Sequence, residues 1–269
     1  MIERYRERGY VSPLRAFPEP QALAYRQRLE DAEHALGGLK EDHRRKLHLY
    51  LAWVDEIVHH PAILDPVEAL IGPDIRLFHL TLWVKEPRTE ARISWHQDST
   101  YFDLTPAEHV TAWVALSHSN HESGCVQVVP GSHRRGQVQH AVRRSEGNML
   151  KIGQELDVPQ GTQLDHLVLK PGEFSLHHTY LFHSSMPNRS DDRRIGLGIS
   201  YIPTRCRVAT PHRLSAMLVR GEDRFGHFDD EQRPDGDATP RALASHARAM
   251  EKWHTARKEI IERVNREAA

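Results

Sequence analysis

The chain has 269 residues, and its 36 lysines and arginines nearly balance 37 aspartates and glutamates, giving a formal net charge of -1. That balance argues against a nucleic-acid-binding surface or a membrane-seeking basic face, and the length suits a single domain with one sizeable core. Two cysteines without metal-binding spacing argue against a disulfide scaffold and fit a reducing, cytoplasmic setting; no apolar run approaches the ~18 residues of a membrane span, and the charged start Met1-Ile2-Glu3-Arg4 lacks the apolar stretch of a signal peptide.

Leu23, Tyr25, Leu29, Ala32 and Leu36 recur at helical spacings, and Gly37-Gly38 supplies a stop, so the spacing predicts a helix over about 20–36. A second helix is expected from Glu41 to His60, where Leu47, Tyr50, Leu51, Val54, Ile57 and Val58 share one face and Pro61 ends the segment; a third, from about Asp65 to Leu70, stops at Gly72. The texture changes at Ile75. Branched and aromatic residues over 75–84 read as a strand, and further strands are expected at 92–98, 109–117, 125–129, 163–169, 173–180 and 194–202, separated by turns such as Pro130-Gly131 and Pro171-Gly172. Between Gln137 and Gln160 the chain is polar and poorly periodic, as in a loop crossing the mouth of a barrel. A last helix, from about Pro240 to Arg266, sets Leu243, Met250, Trp253, Ile260 and Val264 near one face, which suits packing outside the barrel or at a dimer contact. The expected fold is therefore mainly β with flanking helices around a double-stranded β-helix (jelly-roll, cupin-like) core: one domain, 1–269, with a helical part to about 72, the core over about 75–203, and a C-terminal coil and helix over 204–269. Oligomeric state is left open.

Two His-x-Asp pairs occur, His96/Asp98 and His227/Asp229. On a strand the two side chains of such a pair project to one face, and with a distant second histidine they form the ligand set of a non-haem Fe(II) oxygenase. The first pair lies on an expected strand followed by a polar loop. The second sits in Gly- and acid-rich coil with no strand to present a partner, and reads as surface. His177, His178 and His183 compete for the third position. A 2-oxoglutarate enzyme holds the distal carboxylate of its cosubstrate with a cation, for which a guanidinium fork is suited. Arg194 follows His183 by eleven residues and opens an apolar strand, whereas Arg189, eleven after His178, sits in a polar turn. His183 is the better ligand on that ground. Gln97 faces away from the pair and suits a tether between strands; His133 reads as structural or exposed, and Lys85, His79 and Gln127 suit either the pocket or ordinary structural roles.

The segments Ser94-Trp95-His96-Gln97-Asp98, Ala112-Trp113-Val114-Ala115-Leu116, Gly124-Cys125-Val126-Gln127-Val128-Val129-Pro130-Gly131-Ser132-His133 and His183-Ser184-Ser185-Met186-Pro187-Asn188-Arg189-Ser190 resemble, in order and spacing over about 75–203, the phytanoyl-CoA dioxygenase family of Fe(II)/2-oxoglutarate oxygenases. The resemblance implies that His96, Asp98 and His183 bind iron, that Arg194 holds the distal carboxylate of 2-oxoglutarate, and that Ser185 and Trp113 also contact this cosubstrate. It implies O2 as the oxidant and a small-molecule substrate, whether an acyl-thioester, an amino-acid-like compound or a secondary metabolite. Where the family pattern has two glycines after the distal histidine, this chain has Ser184 and Met186, which narrows the space there. Family halogenases replace the carboxylate ligand by a small residue. Asp98 therefore favours hydroxylation.

Overall fold

The computed structural model describes residues 1–143, 145–150, 153–208 and 212–267, with side chains as far as Glu259 at the C-terminal end. The helices are α1 (Ile2–Arg8), α2 (Glu19–Ala35), α3 (Ala52–Val58), α4 (Pro61–Ile71), α5 (Ser99–Phe102) and α6 (Pro240–Glu267). The strands are β1 (Tyr10–Arg15), β2 (Ile75–Lys85), β3 (Ile93–His96), β4 (Leu104–Thr105), β5 (Val110–Ala115), β6 (Val126–Val128), β7 (Ala141–Val142), β8 (Gln154–Glu155), β9 (Asp165–Leu167), β10 (Glu173–His178), β11 (His183–Ser185), β12 (Arg194–Pro203), β13 (Arg207–Val208), β14 (Ser215–Arg220) and β15 (Asp229–Asp230). A seven-stranded sheet runs β1-β10-β5-β12-β2-β14-β15 and a four-stranded sheet runs β3-β11-β6-β9. Side chains of both sheets, including Trp113, Val126, Val128 and Leu167, meet in one apolar cluster, so the sheets pack face to face as the two layers of a jelly roll.

Strand alternation divides the large sheet into two uses. Leu80, Leu82 and Val84 of β2, Val110, Ala112 and Val114 of β5, Phe174 and Leu176 of β10, and Ile195, Leu197, Ile199 and Tyr201 of β12 pack into the same core as Tyr25, Leu29, Trp53, Val54 and Ile57 of α2 and α3. Each such buried side chain contributes about 1.5–3 kcal/mol of transfer free energy, which ties the helices to the sheet. The alternate positions, Thr81, Trp83, Lys85, Thr111, Trp113, His177 and Arg194, belong to the opposite face, toward the small sheet. Glycine makes that face passable for large rings. A Cβ on Gly196 would lie 2.1 Å from Trp113 Cζ2, and one on Gly198 would lie 2.9 Å from Trp83 Nε1.

Several elements differ from expectation. The helix expected over 41–60 is reduced to short 3-10 turns followed by α3, because Lys46 takes a left-handed conformation at φ 47° and its N–H donates to Leu80 O at 2.8 Å. Lys46 Nζ repays that strain by donating to Phe78 O at 2.9 Å, to Ser215 O at 3.1 Å and to Glu231. β1 and β14, which were not expected, extend the large sheet beside β10 and β2; β1 holds Pro13, tolerable because it is an edge strand. Within the stretch expected to be a loop over 137–160, β7 pairs with β8. Ile260 and Val264, expected on the apolar face of the last helix, lie outside the described side chains.

Candidate functional site

His96 ends β3 and pairs in register with His183 at the start of β11, which sets the two imidazoles side by side with ring centroids 4.0 Å apart. Asp98 is not on the strand, as the pattern suggested. It stands at the head of α5 with φ -60° and ψ -37°, and the carboxylate turns back so that Oδ1 lies 3.6 Å from His96 Nε2 and 3.5 Å from His183 Nε2. The turn between them is pinned by Gln97, fully buried, whose Nε2 donates to Gly136 O and Tyr180 O at 2.8 Å each and whose Oε1 accepts from Val138 N at 2.9 Å.

Nδ1 of His96 lies 2.9 Å from Ser94 O and Nδ1 of His183 lies 2.9 Å from Leu181 O. A carbonyl only accepts, so both Nδ1 atoms carry the proton and both Nε2 atoms present lone pairs to the space beside Asp98. Asp98 Oδ2 is engaged elsewhere: Thr111 Oγ1 donates to it at 2.6 Å and His177 Nε2 at 3.3 Å. Thr111 in turn accepts from His109 Nε2 at 3.1 Å, and His109 Nδ1 accepts from Thr179 Oγ1 at 3.0 Å. This chain of donors leaves Oδ1 as the free carboxylate oxygen of the group. Burial alone would raise the Asp98 carboxyl, but His183, His177 and His96 draw it well below its ordinary range; burial, with His96 beside it, holds His183 well below the ordinary histidine value, hence neutral. Two imidazoles with their Nε2 atoms toward one carboxylate, all ligand atoms within 4.8 Å of one another, fit a divalent metal of the iron type.

The residues that flank this group are cationic. Lys85, the last residue of β2, pairs in register with Arg194, the first of β12, and the two are 0 % and 1 % exposed. Lys85 Nζ donates to Ser185 Oγ at 2.7 Å and to Met186 O, Arg194 Nη2 donates to the same Ser185 Oγ at 3.4 Å, and the Arg194 guanidinium lies 5.1 Å from the centre of the Trp113 ring. Among the described residues no carboxylate pairs with either cation, and Arg194 Nε has no hydrogen-bond partner. Burial, with Arg194 adjacent, pushes Lys85 down to about 6, and burial pushes Arg194 down to about 10. Arg194, a desolvated guanidinium without a counter-ion, with the buried amine of Lys85 beside it, makes a receptor for an anion. Arg194, Ser185 and Trp113 line one cavity of about 410 Å³ together with His96, Asp98 and His183. A second cavity, of about 630 Å³, shares Trp83, His96 and Asp98 with the first and is otherwise lined by residues that include His79, Tyr101, Phe102, Trp253 and Arg257.

The other candidates lie elsewhere. His177 is a partner of Asp98, His178 packs near Tyr5 and His133, and Arg189 forms an exposed pair with Glu90. Asp229 pairs with Arg213 and Lys252, and His227 stacks on Phe225. His133 Nε2 meets Arg6 O at 3.0 Å, and Gln127 Nε2 donates to Ser184 Oγ at 2.8 Å. The Sγ of Cys125, without ligand spacing in the sequence, comes within 4.8 Å of ring nitrogens of the exposed His121, in a turn, and His166, on β9. Sequence reasoning missed His109 and Thr111; the signal was the alternation of β5, which sets Thr111 on the same face as Trp113.

Similarity to known proteins agrees with this geometry. The chain is 30% identical over 151 residues to peroxisomal phytanoyl-CoA dioxygenase of Homo sapiens, covering 54% of this chain and 45% of that protein. It is 30% identical over 164 residues to a probable alpha-ketoglutarate-dependent hypophosphite dioxygenase of Stutzerimonas stutzeri, covering 57% of this chain and 54% of that one. The chain thus spans about half the length of these curated relatives. Among solved structures, the non-heme monooxygenase ThoJ is 33% identical with a TM-score of 0.83 over 99% of both chains, and its nickel complex is 31% identical with a TM-score of 0.79 over 98% of this chain and 99% of that one. Fe(II), 2-oxoglutarate and O2 serve the oxygenases of this group, and the donor set and the cation pair described above fit the first two. The family model for phytanoyl-CoA dioxygenase matches residues 5–196, and the chain belongs to that family.

Proposed function

We propose that this chain is a single-domain Fe(II)/2-oxoglutarate-dependent hydroxylase of a small molecule, with His96, Asp98 and His183 as the iron ligands and Arg194, Ser185 and Trp113 as contacts of the cosubstrate. The observation that carries this reading is the uncompensated pair Lys85 and Arg194 beside the cavity that the two histidines and Asp98 also line. A metal group alone does not require that anion receptor, and a dicarboxylate cosubstrate does. With iron, 2-oxoglutarate and O2 bound, the oxidation of the keto acid to succinate and CO2 is coupled to insertion of the other oxygen atom into a substrate C–H bond. The protein's part is positional. Ser94 O and Leu181 O fix the imidazole tautomers, Thr111 and His177 hold Asp98 by one oxygen, and Trp113 covers the guanidinium of Arg194. Asp98 keeps a carboxylate where chloride would otherwise enter, which supports hydroxylation over halogenation.

No helix of the described residues is long and apolar enough to cross a membrane, and we place the enzyme in the cytoplasm. The substrate is a small metabolite, acyl-thioester or amino-acid derivative. The test is succinate release from 2-oxoglutarate with Fe(II) and candidate metabolites, run beside His183→Ala. Turnover by the parent and loss of both iron and turnover in the variant are expected. An iron-free parent that releases no succinate with any metabolite would instead make the chain a silent binding module, and a variant that keeps iron and activity would refute the ligand assignment.

A further inference from the structure

The second cavity is chemically one-sided. Phe102, Met149 and Leu150 give it apolar walls next to His96 and Asp98, the Trp253 indole adds a ring, and Arg45 and Arg257 bring guanidinium donors. Trp253 and Arg257 are four residues apart on α6 and so share a helix face. Trp253 is held by stacking on His79, with ring centroids 4.1 Å apart and planes at 21°. Its buried Nε1 has no hydrogen-bond partner among the described residues, nor has the buried Nδ1 of His79. Arg45 is compensated, with Glu41 at 2.6 Å and Asp42 at 3.9 Å. Arg257 forms no hydrogen bond or ion pair within bonding distance of a described residue, and Glu41 and Asp42, which pair with Arg45, act on it only from farther off; burial, with Arg45 beside it, outweighs them and lowers it from its ordinary value. A guanidinium that is partly desolvated and has no bonded carboxylate among the described residues, next to an indole and a second arginine, recognises an oxyanion by bidentate hydrogen bonds.

We propose that this cavity takes an amphipathic anion, a substrate whose carboxylate or phosphoryl group is held by Arg257 with Arg45 and Trp253 beside it, and whose apolar body lies along Phe102, Met149 and Leu150 next to His96 and Asp98. The proposal rests on the reading of His96, Asp98 and His183 as the oxidising centre, and it gives α6 a role in specificity beyond packing.

The test is a binding measurement. Calorimetric titration, without oxygen, of the protein loaded with Fe(II) and saturating 2-oxoglutarate compares 4-phenylbutyrate, 2-phenylethyl phosphate and the neutral 4-phenylbutyramide. At least one acid is expected to bind ten or more times tighter than the amide, and the tighter of the two acids identifies the anionic group. Arg257→Gln should bring that acid to the affinity of the amide, and Arg257→Lys should restore part of the difference, which a merely structural residue would not do. Equal affinity of acids and amide, no binding of either acid, or a preference that survives Arg257→Gln overturns the proposal. Succinate release is measured separately: an active oxygenase without acid preference refutes this inference alone, and an inactive protein that prefers acids refutes only the oxygenase reading.

Discussion

Lys85 offers a test in which stability and function move in opposite directions. In the unfolded chain its pKa is the ordinary 10.5; in the folded protein, fully buried beside Arg194, it is about 6. At pH 7 the side chain must therefore give up a proton to fold, at a cost of roughly 5 kcal/mol, from about 1.4 kcal/mol for each pH unit below the unfolded value. Lys85→Met removes that cost and loses the hydrogen bonds to Ser185 Oγ and Met186 O, about 1 kcal/mol each. A net gain of about 3 kcal/mol is expected, or roughly 5–10 °C in Tm for a chain of this size. The sign follows from the depressed pKa: the wild-type side chain carries no penalty above pH 10.5, and stability is lost as the pH falls toward 6 and is constant below it. The advantage of Lys85→Met should accordingly be largest near pH 6 and reverse near pH 10, where the lost hydrogen bonds outweigh what is left of the cost. Thermal unfolding of both proteins from pH 6 to 10, followed by circular dichroism, measures this. A variant less stable than the parent at pH 6, or a difference independent of pH, would refute the reasoning. The same variant should need more 2-oxoglutarate for half-maximal succinate release, because the amine that holds Ser185 Oγ beside Arg194 is gone.

Arg194→Ala should raise the 2-oxoglutarate concentration for half-maximal succinate release by a hundredfold or more while the iron content, measured by inductively coupled plasma spectrometry, stays at the parent's level. Gly196→Ala places a methyl group where Trp113 Cζ2 stands 2.1 Å away, so the indole must leave its seat over Arg194. A loss of about 1–3 kcal/mol in urea unfolding and a weaker hold on 2-oxoglutarate are expected together, and an unaltered cosubstrate requirement would detach Trp113 from that role.

The parts of this fold legible in the sequence are those that depend on local period. Alternation along β2, β5, β10 and β12 marks the strands, and the eleven-residue spacing from His183 to Arg194 carries the chain from β11 into β12. The parts that were not legible depend on a distant partner. The apolar stripe from Leu47 to Val58 is helical in pattern, yet the pull of Phe78 O, Ser215 O and Glu231 on Lys46 breaks it at the start. His-x-Asp has the spacing of a strand pair, but Gln97, held by Gly136, Val138 and Tyr180, turns the chain so that Asp98 heads α5. The face of α6 was visible as a stripe, while its use as a cavity wall needed His79 and Arg45 in place across from it.

Burial alone does not separate functional cations from structural ones in this chain, but their partners do. Lys46, 2 % exposed, is met by Glu231 and two carbonyls, and Arg76, 3 % exposed, by Asp223, Asp230 and Ala216 O. Each is closed by its own carboxylate, and removing either partner would leave a buried charge exposed to an apolar surround, at about 3–5 kcal/mol. Lys85 and Arg194 have only a hydroxyl, a carbonyl and an indole face, and Arg257 has no paired carboxylate among the described residues. A fold keeps such incompletely paired basic groups at a cost to its stability; Arg194 and Arg257 line the two cavities that meet at His96 and Asp98, and Lys85 pairs in register with Arg194. Under the function and the substrate site proposed above, the missing counter-charge comes from what binds: the cosubstrate at Arg194 beside Lys85, and the acid group of the substrate at Arg257.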